Sequence, residues 1–445
     1  MLGSVMRLGI LRAAVGLTCC TVTLACAQDT PSVQSRGLVR AGAAIVLLNA
    51  LPWSYDCYVQ HWTFAKVNPS TWWQNVRTGF RWDDDVLTDN QLAHPLHGAL
   101  YFNAARGAGF SFWGSVPFVA FGSLTWEFLA ENLPASPNDV VNTTLGGTAL
   151  GEATSRLARL LARRGSTRSL GRRMAAVAID PLGHVQYWTS SQRTVGTSVN
   201  ESETASHSVA LGVDHQWSTS TRSTNSYRFV GLIVDFGDPF AVEPLAPYDA
   251  FDFTLELAQR GTWSVRRLAV DGLLARSAVH RTARGDFAFG LLQHYEFLDS
   301  PMVLSGQSVA GALLYQSSGG GQTKVSGELQ LEGILLGEIE SDYNAVRGRD
   351  YDYAPGLGLR VAGAIRRNSQ ELLGVHARAA YLQSVYGTDG YHLTMVGRLN
   401  TTVPITSALN LGGEMGLTWR RSAYHDALTR RSVPELRVFL IWSAQ

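Results

Sequence analysis

The chain has 445 residues, 45% of them hydrophobic and 16% charged, with 44 glycines. This composition excludes a disordered protein and is poor in charge for an ordinary soluble enzyme, and the length allows two domains. The formal net charge is +1, Lys66 and Lys324 are the only lysines, and the arginines are scattered. With no basic stripe, nucleic acid is not expected as a partner.

In chain order, Arg7 and Arg12 precede a short apolar run, Ala13 to Leu24, and Ala25-Cys26-Ala27 fits a signal-peptidase site. Residues 1–27 therefore read as an export signal, with the mature chain starting at Gln28. Cys26 also permits a lipidated start, although Thr23 stands where such signals prefer an aliphatic residue. Cleavage removes Cys19, Cys20 and Cys26 and leaves Cys57 alone, so no internal disulfide is expected.

Residues 28–80 form an aromatic-rich leader. Within it, Ala41 to Trp53 is apolar for only about thirteen residues, too short to span a bilayer, and predicts an interfacial or packing helix. Trp53, Tyr55, Tyr58, Trp62, Trp72 and Trp73 suit a membrane interface or packing against a second domain.

Residues 81–165 read as a helical module. Pro95 fits the first turn of a helix running to about Arg106. A second helix is expected from about Phe112 to Glu131. Ser136-Pro137-Asn138-Asp139 predicts the start of a third, with Ser136 as cap and Asp139 in the acid position of a capping box. Its body, Val140 to Leu161, carries Gly147 and Gly151 one turn apart, which allows close approach of another helix. Glu152 and Arg156 stand at i and i+4 and can pair. Residues 166–183 read as a linker.

From residue 184 to 445 the period changes to two. Phe251 to Leu257 alternates apolar and polar, as do Val325 to Leu331 and Leu411 to Trp419. Similar runs occur near 208–217, 227–236, 266–278, 286–297, 306–316, 356–367, 371–385, 391–403 and 435–442, with turn-rich separators such as Ser318-Gly319-Gly320-Gly321. A soluble sandwich also alternates. Strand length, an even count near twelve and a last strand closing in Phe439 and Trp442 favour a transmembrane barrel. The fold class expected is α+β: an N-terminal helical module followed by an antiparallel transmembrane β-barrel of about twelve strands.

The candidate functional residues lie between Asn90 and Arg156, where His94, His97, Arg106, Glu127, Glu131, Asp139 and Glu152 interrupt apolar, glycine-rich segments. Buried charges are costly unless they meet one another or a ligand. His94 and His97 are either two metal ligands or capping and packing histidines. No third ligand accompanies them at convincing spacing, so neither metal nor cofactor is assigned. Glu127 and Glu131 form an acid/base pair through burial and mutual repulsion, or are neutralised by Arg106 and Arg156. Asp139 reads as a helix-cap acid first and a catalyst second. Asn90, Glu152, Arg156, Gly147 and Gly151 read as a structural network. No Gly-x-Ser-x-Gly elbow, phosphate loop, dinucleotide fingerprint or paired Cys-x-x-Cys site is present.

The pattern Asn90-Gln91, His94-Pro95, His97-Gly98, Tyr101-Phe102, Ala105-Arg106, Trp126-Glu127, Glu131, Pro134, Ser136, Asn138-Asp139, Thr143, Gly146-Gly147 and Gly151-Glu152 resembles the uncharacterised bacterial family called domain of unknown function 3943. In that family the module typically precedes a β-rich region, so the resemblance implies this architecture and no reaction. A fainter similarity, in the order polar helix, Glu, Ser-x-x-Asp, Gly-x-x-x-Gly, is to VanZ-like membrane proteins, whose helices are more continuously apolar.

The expected location is the bacterial outer membrane, with the module periplasmic or in the barrel lumen. Outer-membrane lipids and the barrel-assembly machinery are the expected partners. The leading functional expectation is a module that docks on or plugs the barrel, serving envelope integrity or small-solute passage. The alternative is a lipid-active enzyme in which His94 or His97 and Glu127 act as acid and base and Arg106 holds a phosphate.

Overall fold

The computed structural model describes residues 31–163, 170–183, 205–220, 222–318, 323–343, 349–367 and 370–444, so the export signal lies outside the described residues. The chain divides into two compact units, Met1–Val199 and Asn200–Gln445.

The first unit is helical: α1 Pro31–Tyr58, α2 Pro69–Thr78, α3 His94–Gly107, α4 Phe112–Thr125, α5 Pro137–Val141, α6 Gly147–Arg163 and α7 Leu170–Ile179. Three five-residue π turns are inserted, at Asp89–Ala93 before α3, Trp126–Ala130 after α4 and Asn142–Gly146 between α5 and α6. α1 is longer than the apolar run predicts, because Arg36, Leu38 and Arg40 before that run are good helix formers. Its span Arg36–Tyr58 is long and apolar enough to cross a membrane, by length and composition. Helix α7 lies inside the expected linker, where apolar residues recur at helical spacing, and it packs against α6.

Glycines set the helix spacing. A Cβ on Gly98 of α3 would collide with the Thr143 carbonyl and with Gly147, so α3 and α6 meet backbone to backbone there. One turn on, Gly151 receives the Phe102 ring.

The second unit is an antiparallel barrel of twelve long strands: β1 Ala205–Ser218, β2 Ser223–Phe236, β3 Phe251–Gln259, β4 Trp263–Arg276, β5 Gly285–Leu298, β6 Leu304–Ser317, β7 Thr323–Glu340, β8 Gly356–Arg367, β9 Gln370–Gln383, β10 Gly390–Pro404, β11 Leu409–Tyr424 and β12 Leu428–Ala444. Sequential neighbours pair throughout, including β7 with β8, where Leu331 faces Leu359. The ring closes between β12 and β1, where Trp442 faces Val209 and Val438 faces Val213. Closure leaves no strand edge unpaired in the wall, a requirement for any sheet that crosses a bilayer. Each of the twelve alternating runs read from the sequence coincides with one of these strands, the runs 266–278 and 371–385 reaching two residues past the ends of β4 and β9.

The barrel is polar inside and apolar outside, the inverse of a soluble core. On β1, Val209, Leu211 and Val213 are exposed while Asp214 is buried. On β12, Leu436, Val438, Leu440 and Trp442 are exposed while Glu435 and Arg437 are buried. Such a band is solvated by lipid at little cost and by water at a high one, which makes this a barrel of the outer-membrane type. Between the pairs Glu256–Arg267 and Leu257–Val265 the register shifts, leaving Arg266 of β4 as the extra residue, while β3 keeps Glu256 buried and Leu257 exposed, and Phe251 is buried against Phe236 at 4.7 Å between ring centroids.

Ion pairs cross the interior between strands that are not neighbours. Arg266 of β4 reaches Asp214 of β1 and, at 2.7 Å, Glu435 of β12. Arg437 of β12 reaches Glu256 of β3. Arg378 of β9 pairs with Glu332 of β7 at 2.9 Å and approaches Glu296 of β5 at 3.8 Å, and Arg360 of β8 approaches Asp271 of β4 at 3.8 Å. Two charged webs therefore tie distant staves together across the lumen.

Candidate functional site

His97 belongs to the scaffold. Pro52 of α1 has no N–H to bond the Leu48 carbonyl four residues earlier. The ring of His97 fills that place, with Nε2 3.1 Å from the Leu48 oxygen. Tyr101 lies against one side of the imidazole at 4.5 Å between centroids and Trp126 stands edge-on at 5.5 Å. Burial lowers the pKa of His97, partly offset by the Leu48 oxygen, so the neutral ring donates. Next to it, Asn49 of α1 bonds the Tyr101 hydroxyl and, at 2.8 Å, the Thr125 hydroxyl. These contacts dock α1 on α3 and α4.

Arg106 and Arg156 do not neutralise Glu127 and Glu131. Arg106 Nε lies 2.8 Å from Glu152 Oε2, Arg156 Nε lies 2.8 Å from Glu152 Oε1, and Arg159 stands 3.9 Å away. Arg106 also donates to the Phe110 carbonyl at 2.7 Å. Close contact of α3 with α6 brings Arg106 to Glu152 rather than to the carboxylates after α4. Burial alone would raise the Glu152 pKa, yet Arg106, Arg156 and Arg159 hold it down at about 2. Arg106 is thus committed to a clamp and is not a free phosphate holder.

His94, Glu127 and Asp139 come together. One ligand-type atom from each lies within 4.8 Å of the other two. His94 Nε2 is 3.4 Å from Asp139 Oδ1, and its Nδ1 is 3.2 Å from the Thr143 hydroxyl. Glu127 is buried and accepts the Ser136 backbone N–H at 2.8 Å. That contact corrects the capping box: the Ser136 side chain makes no cap hydrogen bond. The carboxylate that takes the cap N–H is Glu127, from the preceding π turn, which frees Asp139 to face His94. Each of the three residues lies in or beside a π turn: His94 follows one, Glu127 sits in another, and Asp139 lies three residues before the third. Such insertions rotate the helix face locally and recur at functional sites.

Around this trio is an amide frame that the sequence reading missed in part. The two protons of Asn138 Nδ2 are shared among Asp83 Oδ2 at 2.8 Å, Asp139 Oδ1 at 2.9 Å and Asn90 Oδ1 at 3.0 Å. Gln91 donates to Asn142 at 3.0 Å. Asp83 was the missed acid. Its only sequence signal is the run Asp83-Asp84-Asp85 ahead of the apolar segment.

The electrostatics differ sharply from those of Glu152. Burial, then the charges of Glu127 and Asp83, push the Asp139 carboxyl well above its ordinary range, and a hydrogen bond joins it to Asp83. Burial also works against the Asp83 carboxylate, but hydrogen bonds from Asp139, Asn138 and Asn90 hold its pKa low. Burial and the Glu131 charge raise Glu127. Glu131, which accepts from Trp126 Nε1 at 2.6 Å, is raised to about 7, chiefly by burial. Burial lowers His94 to about 4, against the pull of Asp83. Carboxylates, not arginines, dominate the field here.

A second histidine cluster lies in the barrel. His392 contacts Ser422 at 2.7 Å, Ser384 at 3.1 Å and Asp352 at 3.5 Å. These four side chains are all buried and form a packed polar network.

Comparison with known proteins bears on each unit. No curated protein matches the chain. Among solved structures the chain is similar to a KdgM porin, with 10% identity over 53% of this chain and 99% of that one at a TM-score of 0.25. It is also similar to the loop-deleted OmpT outer membrane protein of Vibrio cholerae, with 11% identity over 55% of this chain and 100% of that one at 0.21. At such scores neither adds to the strand topology itself. The VanZ-like similarity finds no support. Residues 79–182, which hold the trio, its amide frame and the Glu152 clamp, match the family described as Domain of unknown function (DUF3943), and a closed barrel follows them in the chain.

Proposed function

We propose that the chain is a bacterial outer-membrane protein in which the barrel is the anchor and the helical module carries a reaction centre, His94, Glu127 and Asp139, that acts on an envelope lipid. The carrying observation is the convergence of buried Glu127 and Asp139 with half-buried His94 in a field of carboxylates. The same module surrounds Glu152 with three arginines, so the absence of such a clamp among the described partners of Glu127 and Asp139 marks a site kept for something else. The apolar outer band and charged interior support the outer membrane, and the sequence of the first 27 residues supports export. The closing strand β12, ending in outward Leu440 and Trp442, is the segment for the barrel-assembly machinery to engage. Phe80, Leu96, Leu129 and Leu133 are exposed and flank the trio in sequence, which suits an amphiphilic substrate better than a polar one. His97 and Arg106 have no part in the chemistry, given their scaffold contacts.

The ion pairs that cross the barrel weigh against free passage of solutes. A module that docks on or plugs the barrel is the second reading, and the rigid Arg106–Glu152–Arg156 clamp is what favours it. The test is a mass-spectrometric lipid profile of outer membranes from cells producing wild type or Glu127→Gln at matched levels of folded barrel. A lipid species that changes with wild type alone is expected. Identical profiles would remove the lipid-acting centre and leave the structural module.

A further inference from the structure

We propose that His94 Nε2, Glu127 and Asp139 bind a divalent transition-metal ion. The inference deepens the reaction-centre reading and rests on it for the ion's use, although binding is measurable by itself.

Three features carry it. First, the donor set is one imidazole nitrogen and two carboxylates, which suits zinc, manganese or ferrous iron and not calcium or magnesium, whose sites are oxygen-only. Second, the spacing is close to that of a filled site. Ligand atoms held at ~2.0–2.2 Å from an ion lie roughly 3–3.5 Å apart. The three atoms here are all within 4.8 Å of one another and the His94–Asp139 pair is already at 3.4 Å. Side-chain rotation on the order of 1 Å closes the remainder.

Third, the ligands are held by neighbours outside the trio. Thr143 lies 3.2 Å from His94 Nδ1, and a proton on that nitrogen leaves the Nε2 lone pair facing the carboxylates. The Ser136 N–H fixes one oxygen of Glu127, and Asn138 fixes Asp139 while bridging to Asp83 and Asn90. Partners of this kind set the tautomer and orientation of metal ligands. A cluster serving only to cap α5 would require none of the histidine geometry. With three protein ligands, further coordination positions stay open to water or a substrate oxygen, the pattern of catalytic rather than structural metal sites.

The experiment uses the full chain folded in detergent, stripped with chelator, re-equilibrated with Zn²⁺ or Mn²⁺ and desalted, with metal counted by mass spectrometry and affinity by calorimetry. Folding is verified by heat-modifiable electrophoretic mobility and far-ultraviolet circular dichroism. Wild type is expected to retain about one ion per chain, and His94→Gln, Glu127→Gln and Asp139→Asn to weaken binding at least about tenfold. Thr143→Val, which keeps every ligand and loses only the hydroxyl, is expected to weaken it by about 10–100-fold, and it serves if a ligand variant does not fold. X-ray absorption at the metal edge should report one imidazole among oxygen ligands. Folded wild type with no stoichiometric ion, or ligand variants that bind as wild type does, overturns the site. Lipid turnover that chelation leaves untouched would overturn the metal and keep the reaction centre. A bound ion with an unchanged lipid profile would keep the metal and overturn the lipid reaction.

Discussion

Replacing His97 by phenylalanine, with and without Pro52→Ala, tests whether this histidine exists to serve a carbonyl that proline leaves unbonded. His97 Nε2 lies 3.1 Å from the Leu48 oxygen, and Pro52 is the residue whose N–H would otherwise bond it. Phenylalanine keeps the ring and most of its contact with Tyr101 and Trp126, so the aromatic contribution of about 0.5–1.5 kcal/mol per pair is largely retained. What is lost is the donor. An acceptor left without a partner costs about 1–3 kcal/mol when buried. Leu48 is only half-buried, which puts the cost near 1 kcal/mol. In the Pro52→Ala background the new backbone N–H bonds Leu48 within the helix, and His97→Phe becomes close to neutral. The coupling energy of the cycle is then about 1 kcal/mol, above the few tenths expected of independent sites. The assay is urea unfolding of the full chain in detergent, followed at 222 nm where the helices dominate, with midpoints compared at a common slope. Equal costs for His97→Phe in both backgrounds would refute the reasoning and return His97 to the pool of site candidates.

Two further outcomes follow from the charges. The Glu152 carboxyl is depressed from 4.5 to about 2, so its stabilisation is fully present above about pH 4.5 and is lost as pH falls through about 2. The stability difference between wild type and Glu152→Gln should therefore be full at pH 6 and shrink by on the order of 3 kcal/mol towards pH 2, since each pKa unit corresponds to about 1.4 kcal/mol. A difference that is flat with pH would show that Glu152 is not held by its arginines. In the barrel, the double variant Arg360→Ala with Arg378→Ala removes the chords to Asp271 and Glu296. It should raise ion conductance in planar bilayers above a nearly silent wild type, and equal conductance of the two would mean that these chords do not block the lumen.

The barrel was legible because a strand's period of two leaves its mark on every stave. Twelve alternating runs, from 208–217 to 435–442, each mark one strand. What periodicity could not supply is which strands the charges join. Arg437 and Glu256 are 181 positions apart and meet only because β12 closes on β1. In the module, the helix starts near Pro95 and Pro137 follow from the fit of proline to a first helical turn, whereas the cap expected of Ser136 does not form. The π turns do not follow in this way, since one extra residue in a helical turn leaves the composition unchanged and yet rotates everything beyond it. For that reason spacing alone leaves open whether Arg106 meets Glu127 and Glu131 or Glu152, and the packing of α3 on α6 decides for Glu152.

The contrast between the two acidic groups of the module bears on what was selected. Packing Gly98 on Gly147 places Arg106 within reach of Glu152, and the cost of burying that carboxylate is offset locally. Nothing in this close approach prevented a second arginine beside Asp139, only three residues before a turn that tolerates an inserted residue. Instead the position opposite Asp139 is His94, a side chain that is neutral in this environment and presents a nitrogen lone pair rather than a charge. A fold selected for rigidity alone gains more from the arginine, because an uncompensated buried acid destabilises. A histidine is the better choice where the second positive charge is to arrive from outside the chain and leave positions for another molecule beside it.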